Sequence, residues 1–137
     1  MAETPEPLGV LLGTLPYMVG YALTDRHVVM AAAGPEGVGP VASTDWAQAE
    51  RSGRSSMAVA EDCAAAMGRA IRGTGCRSVI LIGYGEEGPG RTAALEDALL
   101  GTIDLPDPIQ VHVEGASYRV LLPDGWTPPV PVPDVST

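Results

Sequence analysis

The fold is decided by residues 79–91, VILIGYGEEGPGR. Four aliphatic residues lead directly into a glycine-rich turn, and the residues after the turn carry a helical pattern. A short, wholly apolar run of this kind is typical of a strand that is covered on both faces of a sheet. The stretch therefore predicts a strand over 78–82, a tight connection and a helix over about 91–100.

The flanking segments extend this unit into an α/β pattern. The other predicted elements are, in chain order, a helix over 8–19, strands over 26–33 and 38–43, a helix over 56–72, and strands over 109–113 and 118–122. Residues 44–56 are polar and predict a loop, with a helical turn at 45–50 capped by Thr44. Because strands and helices alternate in the middle of the chain, we expect right-handed parallel crossovers there.

These elements predict a single α/β domain over 1–122, a layered sandwich with a mixed sheet of about five strands and hairpins at both ends. The remaining residues, 123–137, include five prolines. Proline has no backbone donor, so we expect this segment to be an extended, polyproline-like tail that cannot continue a sheet.

The charge balance bears on possible partners. The 137 residues include 17 acidic and 8 basic side chains, for a net charge of -9, and all the basic ones are arginine. A field of this sign repels nucleic acids and anionic membranes, so neither is expected as a partner. The apolar runs are too short to cross a membrane and residues 1–7 have no basic signal, which together predict a cytoplasmic protein.

The glycine-rich turn is the first candidate site. Gly83, Gly85 and Gly88 have the spacing G-x-G-x-x-G, with Tyr84 between the first two. In dinucleotide-binding folds such glycines admit a pyrophosphate at a helix N-terminus. Glu114, at the end of the next predicted strand, would be the acidic residue that holds a ribose.

Other features oppose a nucleotide at this turn. Glu86 and Glu87 lie inside it and would repel a phosphate. Three interpretations therefore stay open: a strand-to-helix connection with incidental glycines, a nucleotide site, and a small-molecule or anion site. Arg91 either contacts a ligand there or forms a surface pair with Glu86 or Glu87.

A second candidate site involves Tyr17, Tyr21 and Asp25. In one interpretation both tyrosine rings are buried under the sheet and Asp25 caps a turn. In the other, Tyr17 and Tyr21 form a ligand pocket with residues 83–88 at the edge of the sheet.

Part of the chain resembles a known family. Residues 11–21, LLGTLPYMVGY, and 24–30, TDRHVVM, are similar to the opening phrase of an actinobacterial family called domain of unknown function 4192. The helix over 58–71, the strand over 79–84 and the hairpin over 113–121 follow in the same order. The resemblance implies an α/β fold and an actinobacterial source, and it implies no catalytic activity.

The chemistry-bearing residues form no recognised catalytic set. His27, His112, Cys63 and Cys76 lack the spacing of a zinc site, and structural roles are expected for both histidines. The cysteines are expected to be small buried thiols, with a disulfide or redox pair as the alternative. We therefore expect no catalytic residues, metal or cofactor, and a non-catalytic accessory or protein-interaction domain that self-associates or binds a protein partner. The alternative is a small-molecule or nucleotide-binding domain that uses residues 83–88.

Overall fold

The computed structural model describes residues 7–20, 22–34, 37–102 and 108–133. Within these residues the chain forms four helices and seven strands. The helices are α1 (Pro7–Val19), α2 (Trp46–Arg51), α3 (Ser56–Ile71) and α4 (Gly88–Leu100). The strands are β1 (His27–Gly34), β2 (Gly37–Asp45), β3 (Ser78–Tyr84), β4 (Ile109–Glu114), β5 (Ser117–Leu122), β6 (Gly125–Trp126) and β7 (Val130–Pro131).

The strands form one mixed sheet in the order β2-β1-β3-β4-β5-β6, and β7 also pairs with β5. β3 and β4 are parallel and are joined by α4, whereas β1–β2, β1–β3 and β4–β5 are antiparallel. The predicted mixed α/β fold and both hairpins are confirmed. One detail differs from a simple row of crossovers: β1 lies between β2 and β3, so the connection through α3 passes over an intervening strand.

Helices cover both faces of the sheet, and each face has its own core. Alternation along β1 and β3 sends Val28, Met30 and Leu81 toward α2, α3 and α4, and sends Val29 and Ile82 toward α1. The first core is centred on buried residues of α3 and α4, and the second on Leu11, Leu12 and Leu15 of α1. The described residues thus form a three-layer sandwich in which a single helix, α1, covers one face.

The turn after β2 differs from the prediction. β2 extends to Asp45, and it is Asp45, not Thr44, that caps α2: its carboxylate accepts a hydrogen bond from the Gln48 amide at 3.0 Å. Aspartate is a strong N-cap because its carboxylate satisfies an amide that the helix leaves unpaired. Thr44 instead lies in the strand, with its hydroxyl 3.4 Å from the Cys63 sulfur.

The prediction that the C-terminal segment cannot continue the sheet is wrong. β6 and β7 lie along the free side of β5, pairing Trp126 with Leu121 and Val130 with Tyr118. The pairing slips by one residue between these two short strands, at Pro128 and Pro129. An edge strand tolerates proline at bulges and on its solvent side, and the hydrogen bonds that the segment does make come from non-proline amides. Residues 134–137 lie outside the described residues.

α4 begins at Gly88, three residues before the predicted start, and Pro89 falls in its first turn, where its missing N–H is not needed. Among the described residues, no helix combines the length and the apolar character that crossing a membrane requires.

Candidate functional site

Two of the three glycines in this turn, Gly83 at the end of β3 and Gly88 at the start of α4, pack backbone against backbone. A Cβ atom added to Gly83 would lie 2.5 Å from the carbonyl oxygen of Gly88, and one added to Gly88 would lie 2.6 Å from the carbonyl carbon of Gly83. Real Cβ atoms do not approach backbone this closely, so both positions require glycine. These glycines let the start of α4 close onto the end of β3.

Gly85 has a different role, because it faces another segment of the chain. Its φ of +81° is a left-handed conformation that favours glycine. A Cβ atom there would overlap Asp25, lying 2.8 Å from the Asp25 Cα. The Gly85 amide donates to the Val113 carbonyl at 2.8 Å, and its own carbonyl accepts from the Gly88 amide at 3.1 Å. The space beside Gly85 is therefore filled by Asp25.

The expectation that Arg91 pairs with Glu86 or Glu87 is wrong. Arg91 is only 8% exposed, and its guanidinium donates to the Asp25 carbonyl at 3.0 Å and to Glu50 of α2 at 3.1 Å. A buried arginine needs such partners because an unpaired buried charge is costly. Arg91 thus ties α4 to α2 and to the segment before β1.

The segment that fills the space beside Gly85 is held in place by α2. The Arg26 carbonyl accepts from the Trp46 amide at 2.9 Å, and the Arg26 side chain forms an ion pair with Asp45 at 2.9 Å. Partial desolvation acts to raise the pKa of Asp45, but hydrogen bonds from Arg26 and from the Gln48 amide outweigh it and hold this pKa below its ordinary value. These contacts fix the position of Arg26, and therefore also the position of Asp25, the residue before it.

An open groove lies on the other face of the sheet, at the end of α1. We call it the α1 groove; it has a volume of about 300 Å³. Its lining includes Leu12, Pro16, Tyr17, Tyr84, Val113 and Pro133. Leu23, the turn between β4 and β5, and Val132 complete it. The groove therefore lies at the carboxyl ends of the parallel strands β3 and β4, where α/β sheets commonly bind ligands.

Two of the predicted site residues line this groove. Tyr17 is 64% exposed, so the interpretation that buries its ring under the sheet is wrong. Tyr84 is 8% exposed, and burial raises the pKa of its hydroxyl, which stays a neutral donor. Tyr21 lies outside the described residues.

The structure divides the predicted site residues into two groups on opposite faces of the sheet. Tyr17 and Tyr84 contribute to the α1 groove. Gly85 and Arg91 instead both contact Asp25. The strand alternation that places Tyr84 on the α1 face is the physical reason for this division.

A smaller polar pocket, which the sequence did not indicate, lies beside β4 and β5. It has a volume of about 230 Å³ and is lined by His112, Glu114, Ser117, Arg119 and Pro129. Within each strand the two lining residues are separated by one position, and His112 pairs with Arg119 and Glu114 with Ser117, so all four share one face of the hairpin. Pairing of β4 with β5 could be predicted, but the proline that closes the pocket comes from the unexpected tail pairing.

The remaining reactive side chains of the described residues form no metal cluster of three or more histidine, cysteine, aspartate or glutamate groups. Both cysteines are free. Cys63 is buried, as predicted, and burial raises the pKa of its thiol. Cys76 is only half-buried, and its thiol donates to the Ser78 carbonyl at 3.2 Å.

Comparisons of this chain with protein-family models, with curated proteins and with solved structures gave no match. The resemblance of residues 11–30 to the domain of unknown function 4192 family stays a prediction.

Proposed function

We propose that this protein is a protein-interaction domain that docks an extended, proline-containing apolar segment of a partner protein in the α1 groove. The observation that carries the proposal is the lining of that groove. It presents Tyr17 and Tyr84 together with Pro16, a surface of the kind that receives polyproline-like segments. Such segments bind at low entropic cost because they are already extended before they bind.

The chain's own tail supports this choice of partner chemistry. Val132 and Pro133 form one wall of the groove, and the Val132 amide donates to the Ala116 carbonyl at 2.7 Å. An extended Val-Pro sequence is thus already packed against this surface. A second segment of similar chemistry would lie between that wall and Tyr17.

The outer side of α1 enlarges the apolar surface around the groove. Val10, Tyr17 and Met18 recur at helical spacing and all are exposed. Helices that are apolar on both sides usually have protein on both sides, and within the described part of the chain the sheet covers one side of α1.

The glycine turn gives weaker support to the alternative, a nucleotide-binding domain. Asp25 occupies the space beside Gly85, and Arg91 is engaged by Glu50 and Asp25. The volume of the α1 groove, about 300 Å³, is at the lower end of the range for small-molecule sites, which is about 300 to 1,000 Å³. An extended peptide that contacts both the groove and α1 uses more of the exposed surface.

The test measures binding of a fluorescently labelled peptide of alternating valine and proline by anisotropy. A peptide of alternating glycine and serine is the control ligand. We expect the first peptide to bind and Tyr17→Ser to weaken it by about tenfold, as loss of one aromatic contact of 1–2 kcal/mol implies. Met57→Ser removes another exposed apolar side chain, which lies on α3 and is 47% exposed, and should leave binding unchanged.

Two results would overturn the proposal. One is equal affinity for the two peptides. The other is equal weakening by Tyr17→Ser and Met57→Ser. Light scattering on the same samples separates peptide docking from self-association. If the protein dimerises through the α1 groove, added peptide would compete for the groove and lower the measured molecular mass.

A further inference from the structure

The polar pocket on the β4–β5 hairpin is independent of the α1 groove. The adjacent residues Val111, Val113 and Tyr118 belong to the core under α1. His112 and Arg119, which alternate with them, therefore project from the opposite face of the sheet. In the antiparallel register His112 lies across from Arg119, and Glu114 lies across from Ser117.

The orientation of His112 is set by its contacts. Its Nε2 is 2.7 Å from the Gly85 carbonyl oxygen, and its ring meets the Trp126 ring edge-on at a centroid distance of 6.0 Å. A carbonyl oxygen only accepts hydrogen bonds, so Nε2 carries the proton in this contact. In the neutral ring Nδ1 is then an acceptor.

Nδ1 of His112 is available to a ligand. It has no hydrogen-bond partner among the described residues, and no fully buried side-chain nitrogen or oxygen there is left unpaired. Nδ1 therefore reaches solvent, and His112 is one of the residues that line the polar pocket.

The pocket also holds two charges that do not neutralise each other. Arg119 is exposed and forms no ion pair with any described residue, and the Glu114 side chain is 65% exposed. The nearest cationic atom to Glu114 is Nε2 of His112, at 3.8 Å, and it is charged only when the ring is protonated. A free guanidinium and a free carboxylate thus flank one small cavity.

We infer that the polar pocket binds a free α-amino acid. Its carboxylate would accept hydrogen bonds from Arg119 and from the Ser117 hydroxyl, and its ammonium group would donate to Glu114 and to Nδ1 of His112. The volume, about 230 Å³, equals the liquid volume of about eight water molecules, which admits a molecule of this size.

The charge of the whole protein favours a zwitterion over a simple ion. With a net charge of -9 the protein repels small anions at long range, and a zwitterion has no net charge to be repelled. Within the pocket, Glu114 opposes a simple anion and Arg119 opposes a simple cation. Only a ligand with both groups satisfies both residues.

The test adds the standard L-amino acids one at a time to the full chain, with thermal shift as the screen and titration calorimetry for the dissociation constant. Acetate and methylammonium are the two half-ligands. We expect at least one amino acid to bind, and each half-ligand to bind at least about tenfold more weakly, because each omits a charge-assisted contact.

Variants locate the site. Arg119→Gln and Glu114→Gln should each weaken the amino acid by about tenfold or more. Arg69→Gln on α3 and Tyr17→Ser in the α1 groove should leave its dissociation constant unchanged. Circular dichroism confirms that each variant is folded. Absence of binding by every amino acid, equal binding of acetate, or equal effects of Arg119→Gln and Arg69→Gln would each overturn the inference, whatever the peptide test of the α1 groove shows.

Discussion

The glycine turn and the α1 groove both lie where β3 and β4 end, yet one is filled and the other is open. The turn has a spacing associated with ligand binding, but Asp25 and Gly88 occupy the space around its glycines. The groove has no recognisable motif, and it leaves Tyr17 mostly exposed beside the ring of Tyr84. Glycine spacing reports close backbone approach, and the approaching group can be the protein itself.

The largest effect is expected in the glycine turn. Gly83→Ala should destabilise the protein by about 3 kcal/mol or more, because its methyl group would lie 2.5 Å from a backbone oxygen that cannot move aside cheaply. Gly90→Ala is the matched control in α4, where no heavy atom of the described residues lies within 4 Å of the added Cβ atom. A gain of up to about 1 kcal/mol is expected there from helix propensity. Urea unfolding measures both. Similar free energies for the two variants would mean that the turn is not tightly packed.

Replacement of Arg91 should have the next largest effect. Arg91→Met is expected to lower the free energy of unfolding by about 2 kcal/mol, since it removes the contacts to Glu50 and to the Asp25 carbonyl. The loss is below that for a fully buried pair because Glu50 remains partly exposed and can be hydrated. The exposed Arg69→Gln should change stability by less than about 0.5 kcal/mol. A similar loss in both variants would argue that Arg91 does not hold the turn.

The ion pair between Asp45 and Arg26, which holds the segment beside Gly85, should make the stability of the protein depend on pH. In the folded protein the pKa of Asp45 lies below its ordinary value of 3.8. The stability that Asp45 contributes is therefore complete at pH values above 3.8, and it is lost as the pH falls through the pKa of the folded state. We expect Asp45→Asn to be less stable than the unmodified protein at neutral pH. The loss should be smaller than that for Arg91→Met, because the Asp45 side chain is 31% exposed and water screens its ion pair.

The stability difference between the unmodified protein and Asp45→Asn should shrink in unfolding curves recorded at progressively lower pH. A difference that stays constant as the pH falls would show that the carboxylate of Asp45 does not anchor Arg26.

The smallest effect on stability is expected in the α1 groove. Tyr17→Ser should change the free energy of unfolding by less than about 0.5 kcal/mol, because the side chain is mostly exposed and fills no core space. Leu15→Ala, two residues earlier on the buried side of α1, should cost about 2–5 kcal/mol. A large loss on replacing Tyr17 would show that its ring packs as part of the core and that the groove is less open than its geometry indicates.

Much of the fold could be predicted from local sequence patterns. The helix over 56–72 and both hairpins were predicted nearly to the residue, because an amphipathic repeat and glycine-containing turns are local features. The tail was mispredicted for a related reason. Proline argues against a strand because it lacks a backbone N–H. Here the residues between the prolines donate instead: the amides of Thr127 and Val132 form hydrogen bonds to the sheet.

The candidate sites were harder to predict from the sequence than the fold. Tyr17 and Tyr84 were named from the sequence, but their meeting in a groove depends on α1 crossing the face that strand alternation gives to Tyr84. The polar pocket was missed because it needs the register that places His112 across from Arg119 and the tail that brings Pro129 beside them.

The amino-acid sequence was sufficient for the class of fold, the order of most elements and the acidic charge, because propensity, periodicity and composition act within a few residues. It was insufficient for what touches Gly85 and Arg91, since Asp25 and Glu50 lie 60 and 41 residues away along the chain. Contacts across such separations are set by packing of layers against each other, and many partners would satisfy the same local pattern. Whether a glycine turn binds a ligand or its own chain is therefore a property of the assembled fold.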